Sequence, residues 1–420
     1  MAGTELDDAG LAALDAEVRA WLAAHWRGPE TVATPEGLHD WLVQVVEARF
    51  AVPRWPEAWF GRALADAPAR VIERAFAAAG APGSGQDRTQ LYANTLLAFG
   101  TEALKQKLLR GMLCGEVAMC LLYSEPGAGS DLAGLRTRAE RQGDHFVVNG
   151  QKVWTSRAVT ADYGMLIART NWDVPKHQGI SFFFCPMKQP GVEVRPLRQI
   201  TDESHFNEVF LTDAIVPAEN LLGDLGRGWG VLQTALAYER SVMGEHARGG
   251  RAGTVAGPSI RAGEAPAVAL ATTGPAAERG GLMLSLARES GRLGDPVVRQ
   301  DLARVIAYRR LNALNTARAK ADLDQRTSSP IMSLGKLAMS RILHEEARFR
   351  TGLLGAGSLL EGAEYPRAED ANFLSLNAYF TSIGGGTDQI QRNIIGERVL
   401  GLPKEPEVDR DVAFREVRSG

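Results

Sequence analysis

Residues 121–134 read LLYSEPGAGSDLAG. Two glycines, Gly127 and Gly129, stand between two serines, Ser124 and Ser130. Bare backbone N–H groups and two hydroxyls can donate hydrogen bonds to a bulky polar ligand. A plain turn explains the same composition equally well. The spacing is neither GxGxxG nor a Walker A loop, so neither a Rossmann site nor a phosphate loop is indicated. This stretch also marks a change of texture in the chain.

Before it the pattern is helical. DAGLAALDAEVRAWLAAHW places Leu11, Leu14, Val18 and Leu22 at helical spacing, and GLHDWLVQVVEARF, ARVIERAFAAAG and TEALKQKLLRGML read the same way. PRWPEAWFG interrupts them with two prolines, as a loop does. After it come short β-rich runs. HFVVNGQKVWTS signals a hairpin with Asn149-Gly150 in a type I′ turn. DYGMLIART, GISFFFCPM, GVEVRPL and NEVFLTDAIVP follow. Past GWG, at residues 228–230, helical texture returns. The order predicts residues 1–118 as helical, 119–227 as a β domain and 228–420 as helical again. A Gly-, Ala- and Pro-rich stretch at about 247–280 interrupts the last part and reads as a flexible loop.

Composition narrows the function. The chain has 420 residues, 45% of them hydrophobic, and a formal net charge of −3. That is ample for a large core and argues against nucleic acid as a partner. Cys114, Cys120 and Cys185 fit no metal spacing and no disulfide framework, and no two of the seven histidines form an HxxxH or HxH pair. The acidic N-terminus lacks the apolar core of a signal peptide, and no run of about 18 apolar residues exists to span a membrane. A reducing cytoplasm is the expected compartment.

Two further stretches carry chemistry. In KVWTS, Trp154 stands beside Thr155 and Ser156. An aromatic ring can cover a flat cofactor while hydroxyls bond its edge, although a strand-end tryptophan in a core gives the same letters. In TSIGGGTDQIQRNIIGERVLGLP, residues 381–403, three glycines run into a helix that Thr387 can cap. They make a tight turn, or they clear backbone for a ligand at the positive end of a helix.

Together SEPGAGSD, KVWTS, FNEVFLTDAIVPAENLLG, GWGVLQTALAYER and GGGTDQIQRNIIGERVLGLP resemble the acyl-CoA dehydrogenase family in order and spacing, over nearly the whole chain. The likeness is weakest in the N-terminal helices and absent from the Gly/Ala/Pro stretch. It implies an α+β multidomain fold: an α-helical N-terminal domain, a central β-barrel-like domain and a C-terminal four-helix bundle. It implies a homo-oligomer, a dimer or tetramer, with FAD shared across an interface. Tyr123, Ser124, Gly129 and Ser130 match the family's first flavin segment, Trp154, Thr155 and Ser156 its second, and Thr387 and Gln389 its third.

The implied reaction removes a proton from Cα and a hydride from Cβ of an acyl-CoA thioester, the hydride going to flavin N5 and the electrons on to an electron-transfer flavoprotein. Many members carry the catalytic glutamate at the position of Gly385. Here the acid is missing but the backbone N–H remains, able to polarise the thioester carbonyl. In other members the base precedes an arginine on a mid-chain helix, where this sequence has Glu239 and Arg240. On its own that pair also fits a solvated helix face. The resemblance makes Glu239 the base and Arg240 a contact to CoA, with Ser130 and Gly386 further substrate contacts. The family's Arg-x-x-Phe-Gly element, which holds the flavin pyrophosphate, is lacking in LSLARESGRLGDPVVRQ, leaving Arg288 or Arg292 as substitutes. Two alternatives accompany this reading: a non-catalytic or half-site subunit of a heteromeric acyl-CoA dehydrogenase, and a flavin oxidase or hydroxylase on the same fold.

Overall fold

Six helices open the chain: α1 (Asp8–His25), α2 (Pro35–Glu47), α3 (Asp66–Ala79), α4 (Gln86–Thr89), α5 (Leu91–Phe99) and α6 (Glu102–Cys114). Side chains one residue before the helix cap three of them. Asp7 accepts from Gly10 N, Thr34 from Gly37 N and Thr101 from Leu104 N, each satisfying an N–H that the helix itself leaves bare. Leu14, Val18 and Leu22 are buried as their spacing requires, whereas Leu11 stays at the edge of the core. Trp21, Trp41, Phe50 and Phe76 form a connected aromatic centre. This computed structural model describes residues 3–246, 276–325, 332–362 and 364–417. The side chains at residues 237 and 239–246 lie outside the described part.

The β domain is one eight-stranded sheet made of β1 (Met119–Leu122), β2 (Arg138–Gln142), β3 (His145–Ser156), β4 (Tyr163–Arg169), β5 (Ile180–Pro186), β6 (Val192–Leu197), β7 (Phe206–Pro217) and β8 (Leu221–Leu222). Its order is β6-β7-β3-β2-β4-β5-β8, with β1 parallel to β4. Strands β4 and β5 are buried along nearly their whole length because both faces are covered. Successive side chains alternate between the two faces. Met165, Ile167, Phe182 and Phe184 join the core of the N-terminal helices, while Leu166, Ala168, Phe183 and Cys185 fill the core on the other face. This alternation ties the sheet to the helices.

Asn149-Gly150 is not the hairpin turn that the sequence suggested. The turn falls at Gly143, φ +64°, and β3 continues through Asn149 and Gly150 with a register shift against β7. Thr137 fills the space above Gly150, where an added Cβ would lie 2.4 Å from its hydroxyl. Asn149 exchanges two 2.9 Å hydrogen bonds with Asp213 instead of turning the chain.

The C-terminal part contains α7 (Gly228–His246), α8 (Ala276–Glu289), α9 (Pro296–Gln325), α10 (Met332–Leu354), α11 (Pro366–Ile383) and α12 (Asp388–Arg398). The expected loop at 247–280 lies outside the described residues as far as 275, and 276–280 already belong to α8. A buried ion pair, Arg309–Glu346, joins α9 to α10, and Arg350 reaches from α10 to the exposed Asp370 of α11. The tail then returns to the sheet: Phe414 is buried, and its N–H bonds Val174 O at 3.0 Å.

Candidate active site

At the end of β3 the register against β7 slips between Lys152 and Thr155. Trp154 sits in that bulge at φ +62°, and Arg157 follows at +61°. Bulky residues avoid this region, at about 1–2 kcal/mol each. The bulge turns Trp154 outward, 56% exposed, with its ring at a right angle to that of Phe206 and the centroids 5.9 Å apart. Ser156 is exposed beside it, while Thr155 points inward and its carbonyl accepts from Asn207 Nδ2. A strained, exposed tryptophan is poorly explained by core packing and well explained by a ligand.

The glycine-serine loop lies alongside. Val153 N donates to Ser124 O at 2.9 Å, so the first two sequence segments are hydrogen-bonded neighbours. Glu125 pins the loop: its carboxylate accepts from Arg136 N at 2.7 Å, Thr137 N at 2.9 Å and Lys152 Nζ at 2.8 Å. Lys152 Nζ also donates to Tyr123 O. Burial alone would raise the Glu125 carboxyl, but the Lys152 ammonium and the N–H donors hold it below the usual glutamate range. Neither Glu125 nor Lys152 was a sequence candidate. The signal was there, a lone acid in SEPG and a lone base in KVW, but nothing in one dimension pairs them. Gly127, Gly129 and Ser130 are exposed. A Cβ added at either glycine meets nothing within 4 Å, and neither has a positive φ. Among the described residues nothing demands glycine there, which suits bare backbone facing a ligand.

The third segment approaches the same side. Gly384 ends α11, and Gly385 and Gly386 adopt φ +66° and +85°. Thr387 caps α12 by accepting from Ile390 N, as its position predicted. One turn back, Phe380 packs 5.6 Å from Phe206, the ring that touches Trp154. Gly385 and Gln389 are exposed and Tyr123 is buried. The structure thus hydrogen-bonds the segment of Tyr123 to Ser130 to the strand end that carries Trp154 to Ser156, and it places Phe380, one turn before Gly384, on the Phe206 ring that also meets Trp154.

Other candidates stand elsewhere. Glu239 and Arg240 are part of α7, with side chains outside the described residues. Their neighbour Tyr238 is partly buried, and that burial raises its phenol. Arg292 donates to Gly352 O at 2.7 Å and to Asp295, whereas Arg288 is exposed. All three cysteines are buried free thiols, and burial pushes Cys114 up to about 11 and Cys185 up to about 12, so neither is a thiolate nucleophile. Among the described residues no His/Cys/Asp/Glu group could hold a metal, and no helix is long and apolar enough to cross a membrane.

Helices, a sheet and helices again, with an outturned strand-end tryptophan beside a bare-backbone loop, make a cradle suited to a flat polar ligand. Residues 120–214 match the acyl-CoA dehydrogenase middle domain, and residues 262–400 match the acyl-CoA dehydrogenase C-terminal domain. The acyl-CoA dehydrogenase IpdE1 of Mycolicibacterium smegmatis is 34% identical over 413 residues, covering 93% of this chain and 97% of that protein. FadE34 of Mycobacterium tuberculosis is 34% identical over 401 residues, covering 95% of this chain but 50% of that protein, so the chain spans about half the length of that relative. The solved structure "Tcur3481-Tcur3483 steroid ACAD" superimposes with a TM-score of 0.67 at 26% identity, over 95% of this chain and 99% of that one. The ChsE4-ChsE5 complex from Mycobacterium tuberculosis gives 0.62 at 26% identity, over 96% and 99%. The chain belongs to the acyl-CoA dehydrogenase family.

It is therefore an oxidoreductase whose cofactor is FAD. The residues present fit that group: open-space glycines at 127 and 129, an exposed Trp154 and Ser156, and a capped helix start at Thr387.

Proposed function

We propose that this chain desaturates an acyl-CoA thioester between Cα and Cβ, with Glu239 as the base. The observation that carries the proposal is the vacancy at Gly385: this turn, at φ +66°, has no side chain to act as an acid or base. The nearest acid in the family pattern is then Glu239 on α7. In this reading Gly385 N–H donates to the thioester carbonyl, so the negative charge formed as Cα loses its proton is stabilised. Glu239 takes that proton. A carboxylate beside acyl chain and cofactor is poorly solvated, which raises its pKa toward a useful range. Bound FAD supplies the hydride acceptor at N5. Trp154 would cover its ring face and Ser156 would bond its edge. Arg240, Ser130 and Gly386 hold the CoA portion and the thioester, Arg288 or Arg292 the pyrophosphate. Electrons leave to an electron-transfer flavoprotein. Glu239→Gln keeps its flavin and loses at least about 10²-fold in turnover, the range for removing a general base. Normal turnover would make the assignment wrong.

The likeness to a structure named as a steroid acyl-CoA dehydrogenase favours thioesters of bulky ring-bearing acids as substrates. A panel comparing straight-chain, branched and steroid side-chain thioesters tests this. The same neighbour is named as a pair, and ChsE4-ChsE5 as a complex. They support a second reading, in which this chain is one subunit of a mixed oligomer that completes the flavin site. The visible spectrum of the isolated chain separates the two: about one flavin per chain favours the self-sufficient enzyme, and a colourless chain that FAD cannot load favours the mixed pair.

A further inference from the structure

We propose that His344, Ser382, Ser340 and Lys336 form a positioning network that fixes the triglycine turn through Asp388. This deepens the proposed function and rests on Gly385 N–H acting on the thioester carbonyl.

Lys336, Ser340 and His344 are spaced four residues apart on α10 and therefore share one face. That face meets both ends of the turn. Ser382, two residues before Gly384, lies 2.9 Å from Ser340 Oγ and 2.7 Å from His344 Nε2. Asp388, two residues after Gly386, accepts from Ser340 Oγ at 2.8 Å and from Lys336 Nζ at 3.2 Å. Ser340 is 1% exposed, so the link runs through the interior. The edge of the Tyr379 ring packs against the His344 imidazole, with centroids 4.9 Å apart.

The direction of the bonds follows from the end of the chain. A carboxylate only accepts, so the Ser340 hydroxyl donates to Asp388. Ser382 then donates to Ser340. Its other acceptor, Ala378 O, is farther away at 3.4 Å. His344 must therefore present N–H at Nε2. The chain is polarised from the imidazole to a carboxylate that Lys336 neutralises.

Three successive glycines are the softest possible backbone and have no side chains to pack. Gly384 N–H still closes α11 on Phe380 O at 2.7 Å, and past it the bond described to the turn is a 3.3 Å one from Gln391 Nε2 to Gly385 O. Tethering Ser382 and Asp388 to one face of α10 holds both ends, and so aims the Gly385 N–H. These four residues are positioning residues; none is required to touch substrate.

The test uses the flavin-loaded enzyme with Ser340→Ala, Ser340→Thr and Asp388→Asn. Two readouts are compared: hydrogen exchange of amides 384–391, and the shift of the flavin visible band on titration with acetoacetyl-CoA, a 3-oxoacyl thioester. Ser340→Ala and Asp388→Asn should raise exchange in the turn about tenfold, the worth of one ordinary hydrogen bond, with α10 amides unchanged. Both should weaken acetoacetyl-CoA about tenfold, and Ser340→Thr should restore both readouts. Unchanged exchange in the turn overturns the proposal. So does faster exchange with thioester affinity intact. If exchange rises but acetoacetyl-CoA leaves the wild-type flavin band unmoved, the anchoring stands and the carbonyl reading of Gly385 fails.

Discussion

Lys152 Nζ lies 2.8 Å from Glu125 Oε1, its own side chain wholly buried and the glutamate side chain only 9% exposed. This pair joins the loop that enters the β domain to the strand that ends in Trp154. Glu125→Gln leaves a buried ammonium without its counter-charge, and removing one partner of such a pair destabilises by about 3–5 kcal/mol. Replacing both by Leu and Met recovers most of that, because no charge is then stranded. Chemical denaturation of the three proteins checks the order.

The same pair makes stability depend on pH. The Glu125 carboxyl is held below its ordinary value. Its contribution is therefore fully present above the unfolded glutamate pKa of about 4.3 and is lost as pH falls through the lower folded value. Thermal unfolding from pH 6 down to 3 should show a steeper fall for the wild type than for Glu125→Gln. Parallel curves would mean that Glu125 titrates normally.

Trp154 pairs a local penalty with little local gain. Its left-handed φ opposes folding by about 1–2 kcal/mol, and one edge contact to Phe206 returns about 0.5–1.5 kcal/mol. Trp154→Gly should leave the flavin-free chain within about 1 kcal/mol of wild type while FAD affinity falls at least about tenfold, through lost stacking. Calorimetry of the apo chain and FAD titration read the two separately. Unchanged FAD affinity would return Trp154 to a packing role.

Much of this site was legible in the sequence because its markers are local. Thr387 followed by a helix is a cap in one dimension and in three. The order of helices, strands and helices follows from period alone. Asn149-Gly150 misled for a physical reason: the dipeptide suits a two-residue turn, but Thr137 above Gly150 and the Asp213 side chain beside Asn149 stabilise a bulge instead. Glu125 and Lys152 went unnoticed because their pairing links positions 27 apart that only the sheet brings together. The tail contact of Phe414 is hidden for the same reason.

That contact makes a prediction. Phe414 is 2% exposed, with the Arg169 guanidinium 3.3 Å from its ring centre and Trp172 at 5.4 Å. Arg169 in turn donates to the carbonyls of Ala133 and Leu135, just beyond the glycine-serine loop of residues 124–130. Phe414→Ala removes the anchor, worth about 3–5 kcal/mol if it acts as an ordinary core phenylalanine. Since residues 401–413 form no helix or strand, local release comes before global unfolding. Limited proteolysis should then cut beyond Pro403 while the rest stays intact, and Phe414→Leu should be cut more slowly. Equal resistance in all three would show that the ion pairs of Lys176 with Glu407 and Asp409 suffice.

In the proposed reaction Glu239 and the position of Gly385 are alternative seats for one proton acceptor. If α7 and the triglycine turn face the same Cα, a carboxylate placed at either should serve. Glu239→Gln combined with Gly385→Glu should regain at least about tenfold of the turnover that Glu239→Gln alone loses. Recovery stays incomplete, because a glutamate at φ +66° opposes the turn by about 1–2 kcal/mol. Gly385→Ala in the otherwise wild-type chain measures that strain alone, and it should reduce turnover modestly with FAD retained. The informative failure is a dead double variant beside an active Gly385→Ala. The turn would then tolerate a side chain yet lie away from the Cα proton, and the base on α7 would lose its geometric support.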